Sequence, residues 1–166
     1  MSNFQRRKAV GDAHEQRVAQ ELTRRGWHVD PWGQGVLSNA IRIALRSTSS
    51  CLRWLPDLIA AKNEQIAMID CKTRMTSRTT SRHAVEYSAV TAQLQLVAWG
   101  LLPVYYVFDN LDVLTPYDVL TNGTSGPRTH AGSGTPYLLI PTARSLHLDD
   151  VFGSASRTGS GMAAAA

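Results

Sequence analysis

Apolar and polar positions along the chain follow two periods in turn. In GDAHEQRVAQELTRRG, residues 11–26, Val18, Ala19 and Leu22 fall on one stripe, the spacing of a helix buried on one side. Asp12 stands where an N-cap belongs and Gly26 where a helix stops. WHV then opens a short extended segment that Pro31 interrupts. Residues 36–47, VLSNAIRIALRS, alternate like a strand over IRIALR, yet Leu37, Ile41 and Leu45 recur every four positions, which predicts a helix. After the STSS loop, residues 52–61 and 65–72 are apolar runs joined by KNEQ, the pattern of two strands and a tight turn. Residues 84–101 have the length and spacing of a buried helix, with Val85, Ala89, Ala92, Leu96 and Trp99 near one face. Pro103 ends it, and VYYVF is a β-branched and aromatic strand. A helix linking two strands is a crossover unit, so part of the sheet is expected to be parallel.

Beyond residue 120 the pattern thins. TNGTSGPRTHAGSGTP reads as a mobile loop, YLLIP as an edge strand and SLHLDDVFG as a short closing helix. The tail from Gly153 is low in complexity and expected to be disordered. The organisation predicted is one domain over residues 1–152, followed by the tail 153–166. No apolar run approaches the roughly 20 residues a membrane span needs. The basic N-terminus leads into no apolar segment, so it does not read as a secretory signal. Cys51 and Cys71 suggest no disulfide framework, and a reducing, cytoplasmic location is expected.

The run LRWLPDLIAAKNEQIAMIDCKTR, residues 52–74, changes the picture because it sets Asp57, Asp70 and Lys72 in apolar surroundings. Buried charges are costly unless paired. With Asn63 and Glu64 at the hairpin tip, Lys62 faces Gln65, and the same register sets Asp57 opposite Asp70. Cross-strand Cβ atoms lie roughly 4.5–5.5 Å apart, within reach of one bridging cation. Lys72 shares the face of Asp70, and Cys71 turns to the core. Two such carboxylates repel, so one takes up a proton unless a cation lies between them. Oxygen ligands of this kind suit Mg²⁺ or Mn²⁺, with the Cys71 carbonyl as a further donor. An ion here would polarise a phosphate and lower the pKa of a bound water, and Lys72 would orient that water or neutralise charge on the phosphorus oxygens. The plainer reading is a salt bridge between Lys72 and the acids at a strand end. Glu15 shares the buried stripe of the first helix and could reach the same place. It also stands three residues after Asp12, the spacing of a capping box, and periodicity alone does not choose between the two.

Charge adds a partner class. The net charge is +4, compatible with a polyanion. Arg6, Arg7 and Lys8 cluster before the first helix, and Arg74, Arg78 and Arg82 recur every four residues after the acid–x–lysine triplet. A solvated basic surface would account for both; a row leading away from an acidic pocket points instead to phosphate contacts.

Gly11 and Glu15 as GxxxE, then Pro56–Asp57, then Asp70–Cys71–Lys72 as DxK, resemble the PD-(D/E)xK nuclease superfamily. The string GDAHEQRVAQELTRRGWHV…PDLIA…IAMIDCKTR is similar to its archaeal Holliday-junction-resolvase branch, and the likeness spans about residues 9–108. It implies an α/β fold with a restriction-endonuclease-like α-β-β-β-α-β core, a mixed central sheet flanked by helices. It implies that Asp57, Asp70 and the Cys71 carbonyl bind Mg²⁺, that Glu15 assists directly or through water, and that Lys72 serves the nucleophile. Gln93 or Gln95 would hold the site together from the following helix, although each taken alone is an ordinary helix position. Asp70 replaces the more usual glutamate, and the segment from Trp27 to Pro56 is longer than in compact resolvases.

The expectation is a Mg²⁺-dependent DNA endonuclease, with branched DNA as substrate and a homodimer carrying two sites. The alternatives are a restriction, repair or phage-type nuclease of the same fold, or an inactive DNA-binding or assembly module.

Overall fold

The structure is a computed structural model that describes residues 3–128 and 136–155. The elements in chain order are α1 (Asn3–Arg24), β1 (His28–Pro31), α2 (Asn39–Arg46), β2 (Leu58–Lys62), β3 (Gln65–Lys72), β4 (Thr76–Ser77), β5 (Arg82–Glu86) and α3 (Tyr87–Gly100). They continue with β6 (Val104–Phe108), β7 (Asp112–Leu114), α4 (Pro116–Asn122), β8 (Thr124–Arg128), β9 (Pro136–Pro141), β10 (Leu146–His147) and α5 (Leu148–Phe152).

Two sheets organise these elements. The larger has the order β1-β2-β3-β6-β7-β10, with β3 and β6 parallel and the other neighbours antiparallel. The helix between β3 and β6 is thus the expected crossover, and the α-β-β-β-α-β order is present as α1, β1, β2, β3, α3, β6. The smaller sheet, β4-β5-β9-β8, is inserted between β3 and α3 and completed by the later strands.

Alternation along the central strands separates two faces of the large sheet. Ala67, Ile69 and Val107 pack with Val18 and Leu22 of α1, and with Leu148 and Phe152 of α5. On the opposite face Met68 and Val104 pack with Leu96 of α3, while Tyr106 and Phe108 pack with Val90, Val85 and Ile140. Arg25 is buried and ties α1 to α5 through Glu21 at 2.7 Å and Asp149 at 2.5 Å.

Several expectations are corrected. Helix α1 starts at Asn3, so Asp12 is an exposed position inside it and not its N-cap. The preceding QRRKA are strong helix formers, and they carry the helix through Gly11 despite a cost of about 1 kcal/mol for glycine. The strand expected over 52–61 is shorter. Cys51–Trp54 form a 3-10 turn capped by Ser50, whose hydroxyl accepts from Leu52 N–H at 3.2 Å, and β2 starts only after Pro56, which has no ladder donor. The helix expected over 84–101 divides into strand β5 and helix α3. Val85 is buried from the strand, and Trp99 is 79% exposed on the helix surface. YLLIP is not an edge, since β9 lies between β5 and β8. Thr124–Arg128 is strand and not loop. The rest of that expected loop, 129–135, and the tail from residue 156 lie outside the described residues.

Candidate active site

The β2–β3 ladder runs from Lys62↔Gln65 to Leu58↔Ile69, the register read from KNEQ. Asp57 is the residue before Leu58 and therefore comes to the level of Asp70. Its carboxylate Oδ2 accepts the backbone N–H of Cys71 at 2.8 Å. Its own carbonyl accepts two further N–H groups, from Trp32 at 2.7 Å and Gly33 at 3.1 Å. Asp57 is thus fixed by the start of β1's following turn on one side and by β3 on the other.

Asp70 is buried on the α3 face of the sheet. Its Oδ1 pairs with Lys72 Nζ at 2.7 Å, and its Oδ2 accepts from Gln93 Nε2. The same Gln93 amide donates to the Trp54 carbonyl at 3.1 Å, so two acceptors fix its orientation. Gln93 is completely buried, whereas Gln95 is exposed. Lys72 Nζ also lies 5.1 Å from the centre of the Tyr106 ring. Cys71, between the two charged residues, packs against the core on the α1 side.

Glu15 reaches this place from the other face. Buried His14 Nε2 lies 3.0 Å from the Val107 carbonyl, and Arg17 Nη1 donates to the Asp109 carbonyl at 2.7 Å. These two contacts dock α1 at the end of β6. Glu15 and Asp12 then line one cavity of about 440 Å³ with Asp57, Asp70, Cys71 and Lys72. The capping-box reading of Glu15 falls with the N-cap. A neighbouring cavity of about 650 Å³ shares Arg53 and Trp54 with it but is lined by no carboxylate.

The electrostatics follow from crowding. Burial first, and then the Asp70 carboxylate, push the Asp57 carboxyl up to about 8, with Glu15 adding to the rise; the Cys71 N–H and the Lys72 charge act against it. The Cys71 thiol and the Tyr106 phenol are both held well above their ordinary values, chiefly by burial and further by these acids. The site is a set of acids with one ammonium among them. Among the described residues, no three His, Cys, Asp or Glu side chains converge on one point as they stand.

Arg74, Arg78 and Arg82 do not form the row their spacing suggested. Arg74 follows β3, Arg78 lies in the turn between β4 and β5, and Arg82 opens β5, all three exposed. A hairpin reverses the chain between them, so a four-residue repeat carries no common face. Arg6, Arg7 and Lys8 lie within α1 rather than ahead of it.

Sequence reasoning missed most of the cavity's other lining residues, Asp12, Arg53 and Gly33 among them. Asp12 was assigned to a cap. Arg53, on the rim, lay in an expected strand. Gly33, buried against Asp57, offered no signal, because a glycine between a strand and a turn is common.

No protein-family profile and no curated protein matches the chain. Solved structures do. A Holliday junction resolvase from the archaeal hyperthermophile Archaeoglobus fulgidus superposes with a TM-score of 0.55 at 11% identity, over 87% of this chain and 96% of that one. A nuclease from a fusselovirus superposes with a TM-score of 0.50 at 16% identity, over 86% and 90%. At such identities the likeness is one of architecture: the chain has the mixed α/β, restriction-endonuclease-like fold of these structures.

Proposed function

We propose that the protein is a divalent-metal-dependent DNA endonuclease that hydrolyses phosphodiester bonds. The observation that carries this reading is the gathering of Glu15, Asp57, Asp70 and Lys72 on one cavity where β3 ends. A pure DNA-binding surface gains nothing from clustered acids facing a polyanion.

The residues fit a hard cation. Asp57 and Asp70 offer carboxylate oxygens; burial first, and then repulsion from Asp70, raise the Asp57 carboxyl to about 8, and a cation between the two acids would relieve that repulsion. Gln93 Oε1, on the amide that donates to Asp70, is a buried acceptor without a hydrogen-bond partner, an orphan that one more polar species would satisfy. Mg²⁺ or Mn²⁺ would be held by Asp57, Asp70 and the Cys71 carbonyl, with Glu15 contributing through water. When bound, the ion would polarise the phosphate and lower the pKa of a water.

The chain's own groups do the rest. Gln93 fixes the Asp70 carboxylate from α3. The Cys71 N–H fixes Asp57, so neither acid has to reorganise as charge develops. The Lys72 ammonium, paired with Asp70 at 2.7 Å, would orient the attacking water and neutralise charge on the phosphorus oxygens. Water would attack phosphorus in line as the opposite P–O bond breaks, giving up a proton to solvent while the departing oxygen takes one from solvent, which leaves a phosphate monoester end and a hydroxyl end.

The substrate proposal is branched DNA, carried over from the archaeal neighbour, which is a Holliday junction resolvase. Symmetric cutting of a junction calls for a homodimer. Purified protein incubated with plasmid, single-stranded and four-way-junction DNA, in Mg²⁺, Mn²⁺ or EDTA, tests all of this. Cleavage that survives EDTA overturns the metal reading. Equal cleavage of linear duplex and junction removes the junction preference and leaves the nuclease. Binding without cleavage in either metal identifies an inactive DNA-binding module.

A further inference from the structure

The inserted hairpin after Lys72 places two arginines in one depression. Arg74 and Arg82 line a hollow of about 290 Å³ together with Thr80 and Tyr137, whereas Arg78 does not border it. We propose that this hollow is a phosphate subsite for the DNA backbone, one or two nucleotides from the scissile position, built from the Arg74 and Arg82 guanidiniums. The proposal rests on the nuclease reading and deepens it.

Three observations support it. First, both arginines are set by unusual backbone. Arg74 itself has φ +58° and Ser81, directly before Arg82, has φ +50°, a region that side chains other than glycine rarely adopt. The Asp109 carboxylate holds the Arg74 turn by accepting its N–H at 2.5 Å. Strain of this kind persists where the surroundings over-determine it, and it concentrates at binding sites.

Second, the hairpin is fastened to the large sheet by a side chain with no part in the acid cluster. His83 is fully buried; its Nδ1 lies 2.9 Å from Thr76 Oγ1 in β4, and its Nε2 lies 3.0 Å from Asp112 Oδ2 in β7. Its ring stacks on Phe108 with centroids 3.9 Å apart. This suture fixes the hairpin that carries both arginines.

Third, the hollow follows the acid site along the chain: Arg74 of its lining comes two residues after Lys72 of the acid cavity. Two residues span at most about 7 Å, and a nucleic-acid strand advances about 3.4 Å per nucleotide. Tyr137 lines the hollow and feels the Lys72 charge, which acts to lower its phenol's pKa. Burial and the Glu86 carboxylate, the latter 3.4 Å from its hydroxyl, outweigh that effect and raise it. The charged residues lining the hollow are Arg74 and Arg82, with the Asp109 carboxylate on the Arg74 backbone N–H and Glu86 turned to Tyr137 beside it.

The test uses full-length protein inactivated by Asp70→Asn, so that binding is read without cleavage. Affinity for a fluorescent four-way junction and for a duplex is measured by anisotropy across a salt series. Arg74→Ala/Arg82→Ala is expected to flatten the slope of log K against log salt by about 1.8, two phosphate contacts at about 0.9 each. Arg24→Ala removes a charge at the opposite end of α1 and is expected to leave the slope unchanged. Thermal melting of each variant checks that the fold is kept. Tight, salt-dependent binding with the same slope in the double variant overturns the subsite and leaves the nuclease standing. A slope that flattens as much in Arg24→Ala as in the double variant also overturns it. No DNA binding by the unmutated chain overturns both.

Discussion

The carboxylate of Asp57 and the backbone N–H of Cys71 meet at 2.8 Å across the open end of the β2–β3 hairpin. The bond makes the position of one acid depend on the path of the strand that carries the other. An asparagine at either position keeps an acceptor oxygen, so the substitution takes away charge and leaves that contact available. Asp70→Asn and Asp57→Asn are each expected to lower DNA cleavage in Mg²⁺ by at least about 10²–10³-fold, the scale of losing one preorganised electrostatic group. Plasmid nicking rates, with circular dichroism to check folding, measure this; either variant cleaving at the unsubstituted rate overturns its role.

The same acid sets a pH dependence in the absence of metal. Asp57 titrates near 8 in the folded chain, raised first by burial and then by Asp70, against about 4 when unfolded. Between those values the native state keeps a proton that the unfolded state has released. Its contribution to stability is complete below about pH 4 and is lost as pH rises through about 8. Melting temperatures taken in EDTA should fall from pH 5 to pH 8.5, and Asp57→Asn should remove most of that slope. A slope that persists in the variant assigns it to other groups.

Gln93 joins three elements: α3, the Asp70 carboxylate of β3 and the Trp54 carbonyl in the turn before β2. Gln93→Ala leaves buried acceptors unpaired, a cost of about 1–3 kcal/mol. Urea unfolding should show this loss, and the Mg²⁺ concentration that half-saturates cleavage should rise because Asp70 is no longer oriented. Unchanged metal dependence with reduced stability would make Gln93 a structural residue alone.

What the sequence disclosed follows from how local each signal is. The register around KNEQ, strand β3 and the facing of Asp70, Lys72 and Cys71 depend on counting within one hairpin, and the structure agrees with them. Glu15 comes to the acids through His14 and Arg17, whose carbonyl partners lie 93 and 92 positions away. Periodicity holds no trace of such contacts. The small sheet was hidden for a related reason: β5 pairs with β9 more than fifty residues later, and RHAVE followed by a helix looks like a longer helix when the partner strand is unknown.

The part of the chain beyond the recognisable motifs is nonetheless built into the core. Phe152 in α5 meets Trp27 edge-on at 5.3 Å and Tyr105 at 5.2 Å, and its carbonyl accepts the Trp27 indole N–H at 3.0 Å. Phe152→Ala should cost about 3–5 kcal/mol, read as a shift in the urea midpoint at constant slope. A change below about 1 kcal/mol would mean that α5 is an appendage and that the core closes without it.

Gly33 gives the sharpest test of how the site is positioned, because it carries no chemistry of its own. A Cβ built there would lie 2.9 Å from the Pro56 carbonyl oxygen and 3.0 Å from Asp57 Cα, so the backbone that carries Asp57 would have to shift. The Gly33 N–H also donates to the Asp57 carbonyl, which couples that shift directly to the acid. Misplacement by about 1 Å can cost on the order of 10²-fold in rate. Gly33→Ala should therefore depress cleavage by about 10–100-fold while DNA affinity, measured in Ca²⁺ or EDTA, stays within about twofold. Gly100→Ala, at the end of α3 and outside the cavity, is the control. No atom lies within 4 Å of a Cβ placed there, and its rate should match the unsubstituted protein. Equal rates for both variants would show that the turn after β1 yields to the added methyl and that Asp57 is held by Cys71 alone.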